Sequence, residues 1–114
     1  MDDRLEKALQ TANYRTTLYQ QKETLKIKLQ NALTIAENGG IFKVDESLVS
    51  FVDILLRNGI ESTVLLDSRT NPVEITDLKS FHRLLIETYR EATSDYLLAF
   101  NKLKKARTVQ QAIE

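Results

Sequence analysis

Apolar residues recur at helical spacing through the first third of the chain. They are Leu5, Ala8, Leu9, Ala12 and Tyr19 on one stretch, and Leu18, Leu25, Leu29, Ala32 and Ala36 on the next. No Gly or Pro interrupts this run before Asn38-Gly39-Gly40. Glycine adopts positive φ without a Cβ clash and commonly ends helices. The pattern therefore predicts one long helix over residues 2–38, with its end at these glycines.

The middle of the chain alternates short apolar segments with turn residues. Residues 41–44 read as a strand, and Asp45 follows in the position of a helix N-cap. Residues 46–58 are apolar around most of a helical circumference, which predicts a buried helix. Residues 62–67 and 73–75 are extended segments around a turn-rich loop with Pro72, which is typical of a β-hairpin. These elements predict an α/β head over residues 41–75.

The last third has the most regular heptad spacing. Thr76 is the expected N-cap, and no Gly or Pro follows it. A seven-residue repeat and a second position four residues later give 4-3 spacing; the residues are Leu78, Leu85, Ala92, Ala99, Ala106 and Ile113, with His82, Tyr89, Tyr96, Leu103 and Gln110. This predicts a coiled-coil helix over residues 77–113 that pairs with the first helix. The expected fold is a single α+β domain, mostly helical, with two long antiparallel helices flanking a small helix-plus-β-hairpin head.

Charge and composition narrow the classes of function. The 114 residues carry 16 basic and 16 acidic side chains, so no global field attracts nucleic acid or anionic lipid. Cysteine is absent, which excludes disulfides and thiolate chemistry and fits a reducing compartment. The N-terminus is charged and the longest apolar run, residues 96–100, is too short to span a bilayer. We expect a cytoplasmic protein with no membrane span.

Candidate catalytic and metal-binding residues are few. His82 is the single histidine, and no neighbour in sequence supplies an orienting carboxylate, which favours a packing or surface role. The carboxylates at Asp45, Asp53, Asp67 and Asp77 fall at caps and turns, without the spacing of a calcium loop. We therefore predict no enzyme, no cofactor and no metal. An enzyme whose site forms only between subunits is the least favoured alternative.

Surplus apolar residues on the last helix predict an interaction protein. Successive helical residues step by about 100°, so Leu97, Leu98 and Phe100 cannot all face one partner helix. We predict a homo-oligomer, most simply a dimer, with these three residues in or beside the interface; a different protein partner is the other possible cover. The alternative function is a small regulatory nucleic-acid-binding protein that uses Lys102, Lys104, Lys105 and Arg107.

Three segments carry a resemblance to a known group of proteins. They are Gly39-Gly40-Ile41-Phe42-Lys43-Val44-Asp45, Val64-Leu65-Leu66-Asp67 and Asn71-Pro72-Val73-Glu74-Ile75. Together they resemble small uncharacterised proteins of marine cyanophages with contractile tails, over most of the chain. The resemblance implies a phage product in a host bacterial cytoplasm, and it assigns no catalytic residue.

Overall fold

The computed structural model describes the backbone of residues 3–113 and the side chains of residues 3–106. Three helices and two antiparallel hairpins occupy this part of the chain, in the order α1 (Asp3–Ala32), β1 (Thr34–Glu37), β2 (Gly40–Lys43), α2 (Glu46–Arg57), β3 (Thr63–Leu66), β4 (Pro72–Ile75) and α3 (Leu78–Ile113). The predicted class, α+β and mostly helical with a hairpin head, is confirmed. The chain divides into two compact units: unit 1 is residues 1–28 and 95–114, and unit 2 is residues 29–94.

The predicted first helix, 2–38, is wrong at its C-terminal end. Helix α1 ends at Ala32, and the following residues form β1, which pairs antiparallel with β2. Asn38 and Gly39 connect the strands with φ angles of 50° and 83°. Two central residues with positive φ make the tight turn that matches the twist of a hairpin. Asn38-Gly39 is thus a hairpin turn, and the β-branched pair Thr34-Ile35 belongs to its first strand.

Helix α2 and the second hairpin lie where the sequence predicts them. Asp45 is the N-cap of α2, and its carboxylate accepts a hydrogen bond from the Leu48 amide at 2.8 Å. Strands β3 and β4 pair antiparallel, with Pro72 as the first residue of β4. The expectation that α2 is buried around most of its surface is wrong, since Phe51 and Ile54 are half exposed.

Helix α3 begins one residue later than expected because its cap differs. Asp77, rather than Thr76, caps the helix: its carboxylate accepts hydrogen bonds from the Ser80 amide at 3.1 Å and the Ser80 hydroxyl at 2.7 Å. These two bonds, the hydroxyl bond first, hold the pKa of Asp77 below its ordinary value. A carboxylate suits this end of the helix, where the backbone amides lack partners.

The buried apolar core of the described chain belongs to unit 2. It runs from the turn that follows α1 to the first half of α3, and its buried members are Leu33, Phe42, Val44, Val52, Leu65, Val73, Ile75, Leu78, Phe81, Leu85 and Ala92. The rings of Phe42 and Phe81 meet edge to face, with centroids 5.3 Å apart. The buried residues form one continuous cluster that stabilises unit 2, and the partly buried Leu29 of α1 and Ile35 of β1 pack against it.

Asp67 joins the two hairpins of unit 2. Its carboxylate accepts the amide of Ile41 in β2 at 3.1 Å, while the Ser68 amide donates to the Ile41 carbonyl at 2.8 Å. The same carboxylate accepts the amides of Arg69 and Asn71 within its own loop. These bonds, that from Ile41 first, lower the pKa of Asp67. The Asp67 side chain and the Ser68 amide thus connect the loop of the second hairpin to the backbone of β2.

Candidate interaction surface

Unit 1 consists of two helical segments with little buried surface. No residue of α1 is buried, and none of the side chains from Asp95 to Ala106 on α3 is buried either. Half-buried residues recur every three or four positions, which marks the facing sides of the helices. Those at this spacing are Thr11, Tyr14, Leu18, Lys22 and Leu25 on α1, and Tyr96, Ala99 and Leu103 on α3; Glu23 is half-buried as well. Unit 1 therefore has a seam of contact without a closed core.

Two grooves run along this seam. One, which we name the lysine groove, has a volume of about 180 Å³ and is lined by Leu18, Lys22, Phe100, Leu103 and Lys104. The other, the alanine groove, has a volume of about 360 Å³ and is lined by Gln21, Thr24, Leu25, Ala99, Leu103 and Ala106. Leu103 lines both grooves. The lysine groove combines an apolar floor with cationic side chains, and none of its lining residues is acidic.

The three predicted interface residues of α3 are exposed. Leu97 and Leu98 expose 57% and 62% of their surface, and Phe100 exposes 39%. Phe100 lines the lysine groove, and its ring lies 6.1 Å from that of Tyr96. Leu97 and Leu98 line neither groove. The structure thus leaves large apolar side chains uncovered at the expected place, and their role in an interface remains a prediction.

Sequence reasoning missed a second exposed apolar set, on α1. Leu5, Leu9, Tyr19 and Ile27 each expose half or more of their surface. The helical spacing of Leu5, Leu9 and Tyr19 led us to predict packing against the last helix, and Ile27 was not part of the predicted pattern. The available signal was that these residues fall on a different side of α1 from Leu18 and Leu25, since a helix turns about 100° per residue.

The three lysines of the predicted basic cluster are exposed, and only one of them lines the lysine groove. Lys102, Lys104 and Lys105 are exposed, and Arg107 lies outside the described side chains. Lys104 lines the lysine groove, whereas Lys102 and Lys105 do not. The cation that accompanies Lys104 is Lys22 of α1, which stands in an entirely polar stretch of sequence and was not predicted.

In unit 2, His82 lies near the carboxylate of Asp53, and the sequence did not predict this proximity. Its Nε2 is 3.9 Å from Oδ1 of Asp53, whose Oδ2 is 2.6 Å from Nη2 of Arg57. The guanidinium of Arg57 is therefore the closer partner of Asp53, and His82 lies beyond ordinary hydrogen-bond distance from it. Among the described residues, no group of three or more His, Asp or Glu side chains is arranged to hold a metal.

A shallow groove of unit 2 separates α2 from α3. It has a volume of about 320 Å³, and its lining residues are Glu46, Val49, Ser50, Ile86, Tyr89 and Arg90. The Tyr89 hydroxyl donates to Oε1 of Glu46 at 3.1 Å, and this bond to a carboxylate raises the pKa of Tyr89. The bond crosses from one helix to the other, which favours a structural role for both side chains.

Comparison with known proteins adds no assignment: no family model, curated protein sequence or solved structure matches this chain. Within the described residues, no helix has the length and apolar character needed to cross a membrane.

Proposed function

We propose that this protein is a non-enzymatic interaction or assembly protein that associates with itself through the helices of unit 1. The observation that carries this proposal is the contrast between the units. Unit 2 has its own buried core, whereas no described side chain of unit 1 is buried, and Leu5, Leu9, Leu97 and Leu98 each expose half or more of their surface. Large apolar patches on soluble proteins mark interaction sites.

A second copy is the partner that fits this surface. Two helices side by side leave a groove on each flank of their seam, and further helices fill such grooves in a four-helix bundle. The lysine groove and the alanine groove are the corresponding spaces here. Two-fold dimers are the commonest oligomers of small proteins, and a pair of these units supplies four helices.

The test is sedimentation velocity at protein concentrations from about 1 to 100 μM, where dimers of moderate affinity dissociate. We expect wild-type dimers and a shift to monomer for Phe100→Glu, because the substitution removes a large apolar ring from the lysine groove and adds a charged group that association would have to bury. Lys28→Glu is the control, since Lys28 is exposed and lines neither groove. A monomeric wild type over the whole range would overturn the proposal.

A second candidate function is nucleic-acid binding. It is supported by the position of Lys22 and Lys104, which both line the lysine groove. Contacts to phosphates release counterions, so such binding weakens steeply as salt rises. Titration of a fluorescent single-stranded oligonucleotide at two salt concentrations measures this. If the oligonucleotide binds with a steep salt dependence while the protein stays monomeric, this candidate replaces self-association.

We also propose, from the resemblance of the β2 and β3–β4 segments to cyanophage proteins, that the association takes place in an infected bacterial cell. Affinity purification of the tagged protein from such cells, with mass spectrometry, tests this. Recovery of tagged and untagged copies together would support self-association in that setting. Recovery of the tagged copy alone would contradict it.

A further inference from the structure

We propose that strand β3 of one chain pairs antiparallel with β3 of a second copy, which joins two hairpins of unit 2 into one four-stranded sheet. This contact lies in unit 2, so it goes beyond the proposed association through unit 1 and does not depend on it. Three observations carry it: an open backbone edge on β3, large apolar side chains exposed along that edge, and opposite charges at the two ends of the strand.

The outward backbone groups of β3 follow from the register of its hairpin. Residues that face each other in an antiparallel pair alternate between bonding each other and pointing away. The Asp67 amide donates to the Asn71 carbonyl, so the bonded pairs continue at every second residue back along β3. The amides and carbonyls of Val64 and Leu66 therefore point to the outer edge, where no described residue bonds them.

The other hairpin edges are blocked or lack large side chains. On β2, the amide and carbonyl of Ile41 already bond the loop of the second hairpin. On β4, the carbonyl of Glu74 accepts the side-chain amide of Asn38, and Pro72 has no amide hydrogen. On β1, the outward residue Ala36 is small. Folded proteins commonly block sheet edges against other chains, and among the described strands β3 combines an open edge with large apolar side chains.

Large apolar side chains line the open edge of β3. Val64 and Leu66 expose 60% and 63% of their surface on the face of the hairpin away from the core, while Leu65 between them is buried. Strand β3 contains no charged residue and no proline, which are the residues that commonly protect an edge. Such an edge accepts an extended strand, because a strand offers amides and carbonyls at the same spacing.

One register uses every open group of the edge. A two-fold axis at Leu65 sets Val64 of each chain opposite Leu66 of the other, and each such pair exchanges both backbone hydrogen bonds. All outward amides and carbonyls of the two strands are then bonded. The paired side chains lie on the same face of the sheet, where apolar neighbours stabilise each other. A register shifted by two residues would instead set Ser62 or Ser68 opposite an apolar residue.

The charges at the ends of β3 favour the antiparallel direction. Glu61 lies two residues before the strand and Arg69 three residues after it, and both are exposed, without an ion-pair partner among the described residues. Antiparallel pairing about Leu65 brings Glu61 of each chain beside Arg69 of the other, whereas parallel pairing would bring like charges together. The nearby carboxylate of Asp67 is held in its own loop by the amides that it accepts.

The small size of the contact makes it weak in isolation. Four residues from each strand bury much less than the roughly 1,600 Å² of a typical stable interface. We expect a dissociation constant on the order of 1 mM, so the contact is largely absent at the micromolar concentrations that test association through unit 1. A chain that pairs through both surfaces has two neighbours, which extends the assembly beyond a dimer.

Backbone amide NMR of Phe100→Glu, which should not associate through unit 1, isolates the contact. Between about 0.1 and 2 mM protein, a dissociation constant of about 1 mM raises the paired fraction from roughly 15% to 60%. We expect the amide resonances of Val64 and Leu66 to shift and their exchange with water to slow about twofold. Ala36 is the internal control, because its amide also points outward, on β1, and should not change. Unchanged resonances of Val64 and Leu66 would overturn the inference and leave the open edge to a segment of another protein.

Val64→Pro tests the backbone bonds directly. It removes an outward amide hydrogen and spares the bonds within the hairpin, because Val64 and Glu74 form a non-bonded pair. We expect the concentration dependence of Leu66 to disappear, whereas Val64→Ile, which keeps the amide, should retain it. Protection of the Leu65 amide verifies that the hairpin is folded. A folded proline variant with an unchanged response of Leu66 would overturn pairing through the backbone.

Charge exchange tests the direction and register, and it does not depend on whether the proline variant folds. In the Phe100→Glu background, Glu61→Arg alone and Arg69→Glu alone each bring like charges together twice per pair, and we expect each to weaken pairing several-fold. An equimolar mixture of the two chains, with isotope in one chain only, restores both contacts and should regain the response of the parent. Glu87→Arg mixed with Lys79→Glu carries the same charge changes at exposed positions of α3, and should gain nothing on mixing.

The outcomes separate the two proposed surfaces. If the amides of Val64 and Leu66 respond to concentration but the exchanged pair gains no more than the control pair, antiparallel pairing about Leu65 is overturned. Sedimentation of wild type at micromolar concentration reports on unit 1, so either proposal can fail while the other stands.

Discussion

Asp67 shows how much one side chain organises in unit 2. Its carboxylate receives amides from both its own loop and β2, so it takes part in the packing of one hairpin on the other. An amide at this position keeps one acceptor oxygen and loses the charge that strengthens all of these bonds. Asp67 therefore has a structural role, although a carboxylate in a turn can suggest a functional site when only the sequence is considered.

We predict that Asp67→Asn lowers the urea midpoint at pH 7 and flattens its acid dependence. The folded-state pKa of Asp67 lies below its unfolded value, so the carboxylate stabilises the protein above about pH 4 and loses that effect as pH falls through the folded pKa. Urea titrations at several pH values between neutral and acidic measure this. Asp95→Asn, at an exposed position, should keep the wild-type profile; an unchanged profile for Asp67→Asn would contradict the assignment.

Gly40 is required for a close approach between the hairpins. A Cβ at this position would collide with Cγ2 of Val73 and lie 3.3 Å from Cβ of Asp67. We predict that Gly40→Ala destabilises the fold by about 1–3 kcal/mol, as overpacking does. Val73→Ala removes the colliding methyl groups, so the double variant should be more stable than the sum of the single effects implies. Strict additivity in chemical denaturation would contradict the contact.

At the scale of elements, the helical spacing of apolar residues does not determine where α1 ends, and the turn at Asn38-Gly39 has to be interpreted as well. Apolar residues at helical spacing continue through Leu29, Ala32 and Ala36, so the pattern alone extends α1 past its true end. Asn38-Gly39 then fits either a helix end or a two-residue hairpin turn, because both use positive φ. The hairpin forms since Ile35 packs against the core of unit 2 and Phe42 is buried in it, a contact that local sequence cannot reveal.

The remaining elements were predictable because each has an independent signal. Asp45 caps α2, the loop before Pro72 separates two apolar segments, and the breaker-free run gives α3. Exposure of Leu97, Leu98 and Phe100 follows from helical geometry. The lysine groove was not predictable, because it requires the register of α1 against α3, and one of its cations stands among polar residues that suggest only solvent exposure.

The hairpin turn gives a prediction at this scale. Gly39 has a φ of 83° with open space around its Cα, so substitution there tests backbone conformation alone. We predict that Gly39→Ala destabilises unit 2 by about 1–2 kcal/mol, whereas Gly39→Asn costs less because Asn tolerates the left-handed region. Thermal unfolding of both variants makes the comparison. Equal stability of Gly39→Ala and wild type would contradict a turn with positive φ.

At the scale of the whole molecule, stability is divided unequally between the two units. The buried core lies entirely within residues 29–94. In unit 1 the apolar side chains are exposed or half buried, and the enclosed hydroxyl of Tyr14 has no hydrogen-bond partner among the described residues. An enclosed polar group without a partner costs free energy. Unit 2 therefore has its own source of stability, whereas the described side chains of unit 1 form no buried cluster.

This division predicts two different responses to protein concentration. Amides of residues 29–94 should exchange with solvent at rates independent of concentration, because their protection comes from the core of a single chain. Amides of residues 3–28 and 95–106 should exchange faster in dilute solution and slow as concentration rises, because association stabilises only the folded, paired helices. Hydrogen exchange with mass spectrometry at about 1 and 100 μM, concentrations that bracket a moderate dissociation constant, measures both segments in one experiment. Phe100→Glu is the matched control: it should abolish the concentration dependence in unit 1 and leave unit 2 unchanged. Protection of the unit 1 amides that is equally strong at both concentrations would mean that a single chain stabilises these helices by itself, and the argument from exposed apolar surface to a second copy would then fail.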